Sequence, residues 1–196
     1  MAVAAILIDL DGTLWDSAQW YAALLAPTDT TERTRLTRGL RDPAGGLRAA
    51  QLLSERYSAG AFARACDDAA ASLAVYQDAV AVLGRLQQKV SLGVVTNLPG
   101  WIARPMLKAQ GLLDHFSVIQ TARRGVPPKP HPAGVERAVA VLDVPPGAAV
   151  YIGDTGADRI AAEAAGVAFI WAGWGYDQVA DDYIAAERWT DVEALL

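Results

Sequence analysis

The 196-residue sequence has little cysteine, lysine and histidine, and no apolar run long enough to span a bilayer. Its one cysteine, Cys66, excludes an internal disulfide and is typical of a reducing compartment, so we predict a cytoplasmic protein. The apolar run over residues 2–8 has no basic residue before it and stops at Asp9. We therefore expect no export signal.

Positive charge is also scarce, because 17 Lys and Arg against 22 Asp and Glu give a formal net charge of −5. A field of that sign opposes binding to nucleic acid and to anionic membranes, so we expect neither as a partner. Hydrophobic residues make up 53% of the chain and charged residues 20%. A chain of this length and composition can bury a proper core, which argues against disorder and favours one domain with room for an insertion.

Short apolar runs alternate with amphipathic stretches, as in a parallel sheet with crossover helices. The predicted strands cover residues 3–8, 92–95, 116–119, 149–152 and 168–171, and the predicted crossover helices cover 78–88, 101–110, 133–142 and 157–165. The segment 16–76 carries no strand signal and predicts three or four short helices. We therefore predict an α/β protein with a doubly wound, Rossmann-like parallel sheet (1–15 and 77–196) and a small all-helical cap (16–76) inserted after the first strand.

Polar side chains follow the predicted strands at the points where the strands end. They are Asp9, Asp11, Thr96, Asn97, Lys129, Asp154 and Asp158. In an open parallel sheet, ligands bind beyond the carboxyl ends of the strands, at the place where the strand order reverses. These side chains are therefore the candidate site.

The residue types in this set favour phosphoryl chemistry. Clustered carboxylates repel one another unless a cation shares them, and Mg²⁺ prefers oxygen ligands, so we expect a metal. An aspartate can attack phosphorus, and a second carboxyl can move a proton. Asp9 and Asp11 alternate along an extended strand end and so face the same way. Thr96 and Lys129 can hold the oxygens of a transferring phosphoryl group.

Four segments, taken in order, are similar to the four motifs of the haloacid dehalogenase superfamily. They are Asp9-Leu10-Asp11-Gly12-Thr13, Thr96-Asn97, Lys129 and Gly153-Asp154-Thr155-Gly156-Ala157-Asp158. More closely, the chain resembles the phosphoglycolate phosphatase-like branch, in which a helical cap follows the first motif. The ending Trp174-Gly175-Tyr176 is similar to a tail often seen in that branch.

The resemblance implies a role for each motif residue. Asp9 resembles the nucleophile and Asp11 the general acid and base. Thr96 and Lys129 resemble the pair that holds the phosphoryl group, and the backbone amide of Asn97 would also face the phosphate.

The resemblance also implies a metal site. Asp154 would bind Mg²⁺ together with Asp9 and the backbone carbonyl of Asp11. Asp158 would orient Lys129 or a metal-bound water, although it is also typical of a charge that starts a helix.

Two other candidate roles have structural alternatives. Thr96 could cap a following helix as well as bind phosphate. Arg35 and Arg38, in the insertion, would share a helix face and could clamp a carboxylate, but a solvated face is the favoured interpretation.

We therefore predict a phosphatase that hydrolyses a small, phosphoglycolate-like phosphomonoester with Mg²⁺ through an aspartyl-phosphate. A sugar-phosphate mutase of the same superfamily has the same core motifs and stays open as an alternative. A phospho-acceptor signalling module is a second alternative. Asp11 and the insertion favour the enzyme, because a long-lived phosphoaspartate has no use for an adjacent acid and base.

Overall fold

The computed structural model describes residues 2–42, 44–177 and 183–196. Its strands, in chain order, are β1 (Ala5–Ile8), β2 (Trp15–Asp16), β3 (Ala74–Val75), β4 (Ser91–Pro99), β5 (Val118–Ala122), β6 (Ala149–Gly153), β7 (Ala168–Ala172) and β8 (Ala185–Ala186). Its α-helices are α1 (Ser17–Leu25), α2 (Thr30–Leu40), α3 (Gly45–Arg56), α4 (Ala59–Ala69), α5 (Ala79–Leu86), α6 (Gly100–Ala109), α7 (Ala133–Leu142), α8 (Gly156–Ala164) and α9 (Trp189–Val192). No helix within these ranges is long and apolar enough to cross a membrane.

Six strands form one sheet in the order β5-β4-β1-β6-β7-β8, and every neighbouring pair is parallel. The chain order reverses at β1, which pairs with β4 on one side and β6 on the other. All four residues of β1 are buried because helices cover both faces of the sheet. Alternation places Ile6 and Ile8 in one hydrophobic cluster and Ala5 and Leu7 in the other. The predicted doubly wound α/β fold is confirmed.

All five predicted strands and all four predicted crossover helices are present, with shifts of a few residues at their ends. The largest shift is in β4, which runs on to Pro99 where the prediction ended at residue 95. The sequence did not predict β8 or α9. Elements of two and four residues are too short to produce a measurable hydrophobic period.

The insertion leaves and re-enters the sheet through two short strands side by side. Trp15 pairs with Val75 and Asp16 with Ala74 in an antiparallel arrangement. Between these strands lie α1 to α4 and a 3₁₀ turn (Ala70–Ser72), so the predicted run of short helices is present. The three strand residues inside the segment 16–76 correct the all-helical prediction, because such short strands carry no periodic signal. The division into two domains stays a prediction.

Aromatic and aliphatic residues of the insertion pack into the same hydrophobic cluster as the sheet. Phe62 of α4 is fully buried and makes an edge contact with Trp101 of α6, with ring centroids 5.4 Å apart. Leu53 of α3 belongs to the same cluster. Cys66 is buried as a free thiol, and burial raises its pKa to about 12, which keeps it protonated. The insertion is therefore held to the sheet by continuous apolar packing.

We expect Phe62→Ala to lower the free energy of unfolding by about 3–5 kcal/mol, because it opens a cavity between α4 of the insertion and α6. Urea unfolding, followed by tryptophan fluorescence and circular dichroism, would measure the loss. Val80→Ala is the control, since that side chain is 50% exposed and its truncation is expected to cost about 0.5 kcal/mol or less. A separate early transition of the helices in the unmodified protein would contradict the shared core.

Candidate active site

The carboxyl ends of β1, β4 and β6 meet at one edge of the sheet, where the strand order reverses. A cavity of about 40 Å³ lies at this edge, and the predicted residues that line it are Asp9, Asp11, Thr96, Asn97 and Lys129. The insertion adds Leu40, Gly46 and Leu47 to the lining. Asp154 and Asp158 are fully buried beside Asp9, and one oxygen from each of these three carboxylates lies within 4.8 Å of the others. The structure therefore brings all seven predicted residues together.

Lys129 is the centre of a buried charge network. Its Nζ lies 2.7 Å from Oδ1 of Asp9 and 2.5 Å from Oδ1 of Asp158, and it donates to the Val95 carbonyl at 3.1 Å. Burial opposes the charged ammonium, but Asp158 and Asp9 outweigh that effect and raise the pKa of Lys129 above its ordinary value. Lys129 is therefore a permanent cation. Lys129 is thus a buried, paired residue and not a solvated one.

The side chain of Asn97 anchors the backbone at Lys129. Its Oδ1 accepts the Lys129 N–H at 2.8 Å, and its Nδ2 donates to the Lys129 carbonyl at 3.2 Å. Two hydrogen bonds to one peptide fix the start of the lysine side chain relative to β4. The structure thus gives the Asn97 side chain a positioning role beside the one predicted for its backbone amide.

Both carboxylate oxygens of Asp158 are occupied by protein donors. Oδ1 receives Lys129 and the hydroxyl of Tyr151 at 2.8 Å, while Oδ2 receives the N–H and the hydroxyl of Thr155 at 3.1 and 2.6 Å. Thr155 and Asp158 also form a capping box at the start of α8. Asp158 therefore has two roles: it binds Lys129, and as part of the capping box it stabilises the start of α8.

Tyr151 is a member of this network that the sequence analysis missed. Its hydroxyl accepts a hydrogen bond from Lys129 at 2.9 Å and lies 2.9 Å from the Val95 carbonyl. The sequence offered one signal for this role, a tyrosine inside an otherwise aliphatic buried strand. A buried tyrosine hydroxyl needs a hydrogen-bond partner, so such a residue points to a polar neighbour.

Asp154 is held by two donors from different parts of the chain. The Thr13 hydroxyl donates to its Oδ1 and the Tyr176 N–H to its Oδ2, each at 2.9 Å. A Cβ atom on Gly12, whose φ is +83°, would lie 2.1 Å from Oδ2 of Asp154, and one on Gly175 would lie 2.1 Å from its Cβ. Both positions therefore require glycine.

Two indoles hold the turn that carries Thr13. The Nε1 atoms of Trp174 and Trp189 both donate to the Thr13 carbonyl, at 2.9 and 3.1 Å. The ending Trp174-Gly175-Tyr176 thus contacts the first motif through Trp174 and Asp154 through Tyr176.

The carboxylate of Asp11 is turned toward the insertion. Its Oδ1 accepts hydrogen bonds from Trp15 Nε1 at 3.0 Å and from the Tyr21 hydroxyl at 3.2 Å. Burial raises the pKa of the Asp11 carboxyl, and donors from Ser17, Trp15 and Tyr21 oppose that rise.

Residues 6–172 match the model of the haloacid dehalogenase-like hydrolase family. The chain belongs to this family. The predicted superfamily is confirmed, and the chain is an enzyme of the phosphatase type within it, as the sequence predicted.

The relatives of this hydrolase include two curated phosphoglycolate phosphatases. The protein of Rhodospirillum rubrum is 28% identical over 224 residues, covering 94% of this chain and 90% of that protein. The protein of Pseudomonas putida is 30% identical over 198 residues, covering 88% and 70%. Among solved structures, a haloacid dehalogenase-type phosphatase from Thermococcus onnurineus superposes with a TM-score of 0.75 at 24% identity, covering 98% of this chain and 97% of that one. That last likeness shows the shared fold.

The buried acids of this hydrolase fit a divalent cation. In the described ranges, Lys129 is the one buried cation beside the three carboxylates of Asp9, Asp154 and Asp158. Burial, reinforced by Asp158, raises the pKa of Asp154 to about 7, and burial also raises the pKa of Asp9. Such oxygen ligands with uncompensated charge suit Mg²⁺. Each oxygen of Asp158 receives two protein donors, whereas each oxygen of Asp154 receives one and Oδ1 of Asp9 receives Lys129. Asp9 and Asp154 are therefore the carboxylates with lone pairs left for a metal.

Thr96 does not cap a helix in this hydrolase, so that alternative is wrong. Strand β4 continues past it to Pro99, and α6 begins only at Gly100. Its Oγ accepts the N–H of Leu98 at 3.1 Å, and no acceptor for its own proton lies among the described residues. Because Thr96 lines the cavity, that proton is available to a ligand.

Arg35 and Arg38 do not line the cavity. Arg35 pairs with Glu32 at 2.6 Å on an exposed face of α2, and Arg38 lies in an open groove beside Arg33. The favoured interpretation of a solvated face is confirmed for both.

We expect the metal-free protein to lose stability as the pH rises from about 4 to about 7. The pKa of Asp154 rises on folding from 3.8 to about 7, so in this window the folded protein binds more protons there than the unfolded chain does. Thermal unfolding in EDTA at a series of pH values would measure the loss.

Added Mg²⁺ should raise the Tm more at about pH 8 than at about pH 5, because its ligands must be deprotonated. Asp154→Asn should weaken the pH dependence and abolish the Mg²⁺ effect, whereas Asp114→Asn, at an exposed position, should keep both. An equal Mg²⁺-induced rise in Tm at both pH values would contradict the assignment.

Proposed function

We propose that this hydrolase is a Mg²⁺-dependent phosphatase that cleaves a small phosphomonoester through an aspartyl-phosphate on Asp9. The observation that carries the proposal is how the two oxygens of the Asp9 carboxylate are bound. Lys129 holds its Oδ1 at 2.7 Å, and no donor to Oδ2 lies among the described residues. Asp9 lines the cavity together with Asp11 and Thr96, so one carboxylate oxygen is held while the other is available to attack.

The first step transfers the phosphoryl group to the enzyme. An oxygen of Asp9 forms a bond to phosphorus while the bond from phosphorus to the ester oxygen breaks. Asp11 donates its proton to that departing oxygen, so the product leaves as a neutral alcohol. Lys129 and the free Thr96 hydroxyl stabilise the charge on the phosphoryl oxygens.

The second step releases phosphate. Asp11, now deprotonated, accepts a proton from water as the water oxygen attacks phosphorus, and the bond to Asp9 breaks. Asp9, Asp154 and the backbone carbonyl of Asp11 would hold Mg²⁺, which would neutralise charge on the phosphoryl group. Asp158 keeps Lys129 in place through both steps.

The size of the cavity supports a small substrate. A volume of about 40 Å³ is room for roughly three water molecules at about 10–15 Å³ each. We propose residues 16–76 as a cap domain over a core of 1–15 and 77–196, because Leu40, Gly46 and Leu47 lie over this space. A phosphoglycolate-like substrate is the specific proposal, and the names of the two curated relatives support it.

We also propose a cytoplasmic location and a small-molecule partner for this hydrolase. A cytoplasmic location agrees with the free, buried Cys66. The formal charge of −5 favours a small phosphorylated metabolite over nucleic acid or a membrane surface.

We expect the purified protein with Mg²⁺ to release inorganic phosphate from phosphoglycolate or from another compound in a panel of small phosphomonoesters. EDTA should abolish the release and added Mg²⁺ should restore it. Asp9→Asn should reduce the rate to background, and Asp11→Asn should lower kcat by about 100- to 10,000-fold.

Asp114→Asn is the matched control, because it removes an exposed carboxylate outside the cavity. Full activity of Asp9→Asn would overturn the proposed nucleophile. Isomerisation of a sugar phosphate without phosphate release would support the mutase alternative instead.

A further inference from the structure

Donors from β2 and α1, where the core joins the insertion, hold the Asp11 carboxylate. Trp15 Nε1 and the Tyr21 hydroxyl both donate to Oδ1, at 3.0 and 3.2 Å. Ser17, in the first turn of α1, also stabilises the carboxylate, and it lies four residues before Tyr21 on the same helix face. Asp9 and Lys129, in contrast, contact each other and Asp158 at the edge of the main sheet.

The contact between Tyr21 and Asp11 is a specific hydrogen bond. Tyr21 is 1% exposed, and its hydroxyl lies 3.2 Å from both Oδ1 of Asp11 and Sδ of Met106. A thioether is a weak acceptor and a carboxylate a strong one, so the proton belongs to the bond with Asp11. The ring is fixed independently by an edge contact with Trp20 at 5.6 Å.

The second oxygen of Asp11 faces a different neighbour. A Cβ atom built on Gly46 would lie 3.1 Å from Oδ2, so the backbone of α3 passes close to this oxygen. Gly46 and Asp11 both line the cavity. One oxygen of the carboxylate is therefore held by Trp15 and Tyr21, while the other is on the side where the insertion covers the cavity.

We propose that Tyr21, with Trp15, is a positioning residue that fixes the Asp11 carboxyl so that Oδ2 is presented to the leaving group and then to water. This inference rests on the proposed function, because it requires that Asp11 moves the proton. Trp15 is the last residue of the core segment 1–15, in β2, and Tyr21 belongs to the first helix of the insertion. The acid and base of the reaction is thereby aligned where the core joins the insertion, whereas the nucleophile is aligned by the sheet.

A positioning role predicts a loss that depends on the leaving group. An alkoxide needs a proton from Asp11 as the ester bond breaks, whereas 4-nitrophenolate leaves without one. Hydrolysis of the phosphorylated Asp9 needs Asp11 as a base for either substrate. A misplaced carboxyl therefore slows both steps for an alkyl phosphate, but only the second step for 4-nitrophenyl phosphate.

The test compares Tyr21→Phe with the unmodified protein on both substrates in the presence of Mg²⁺. We expect kcat for the alkyl phosphate to fall by about 10- to 100-fold, with KM changed by less than about threefold. Stopped-flow traces with 4-nitrophenyl phosphate should show an unchanged first turnover followed by slowed steady-state release. Equal slowing of the first turnover for both substrates would overturn the inference.

The matched control is Tyr57→Phe, since Tyr57 is in the same insertion and its hydroxyl donates to the Leu24 carbonyl at 3.2 Å, away from Asp11. This variant should keep the kinetics of the unmodified protein. Thermal unfolding of both variants measures any general loss of structure, which would lower Tm and activity together. A loss of activity equal to that of Tyr21→Phe would assign the effect to the insertion as a whole and overturn the role of Tyr21.

The double variant Asp11→Asn/Tyr21→Phe separates action through Asp11 from any other effect. If Tyr21 acts through Asp11, removing its hydroxyl should change kcat by less than about twofold once Asp11 is replaced. An undiminished loss in that background would overturn the inference while leaving the proposed function intact. An unmodified protein without Mg²⁺-dependent phosphatase activity, or a fully active Asp9→Asn, would overturn the proposed function and this inference with it.

Discussion

The buried ammonium of Lys129 is the interaction on which the site depends. Moving a charge out of water is costly unless partners compensate it, and here Asp9 and Asp158 lie within 2.7 and 2.5 Å of the same nitrogen. Loss of the lysine would leave buried carboxylates facing one another without a cation. The segments that carry these groups, the end of β1, the loop after β5 and the start of α8, are thus constrained to meet at the same edge of the sheet.

Around this charge network, different neutral donors hold each carboxylate. Tyr151 and Thr155 satisfy Asp158, Thr13 and the Tyr176 N–H orient Asp154, and Trp15 with Tyr21 holds Asp11. Each carboxylate therefore has its own donors, which prevents the acids from being interchangeable despite their proximity. Since buried hydrogen-bond networks are cooperative, the effects of substitutions within one set of donors will not add simply.

Much of the fold and site was predictable because the signals were local. The apolar run before Asp9 and the run before Gly153 predicted the central strands, and α7 has the predicted bounds. The prediction that Thr96 could cap a helix failed because tertiary pairing with β5 extends β4 beyond the apolar run. Strands β2 and β3 exist because the two ends of the insertion meet, which no window of neighbouring residues reveals.

The sequence by itself determined the order along the chain of the five longer strands and the crossover helices, the candidate catalytic residues and the family, since hydrophobic period and motif spacing are properties of short segments. The tertiary structure decided which partner each of those residues has. Thr13 and Asp154 are separated by 141 positions and Thr13 and Trp189 by 176, yet both pairs are hydrogen-bonded. Buried polar groups must find partners wherever the packing brings them, so the donors that tune the site emerge only when distant segments are folded together.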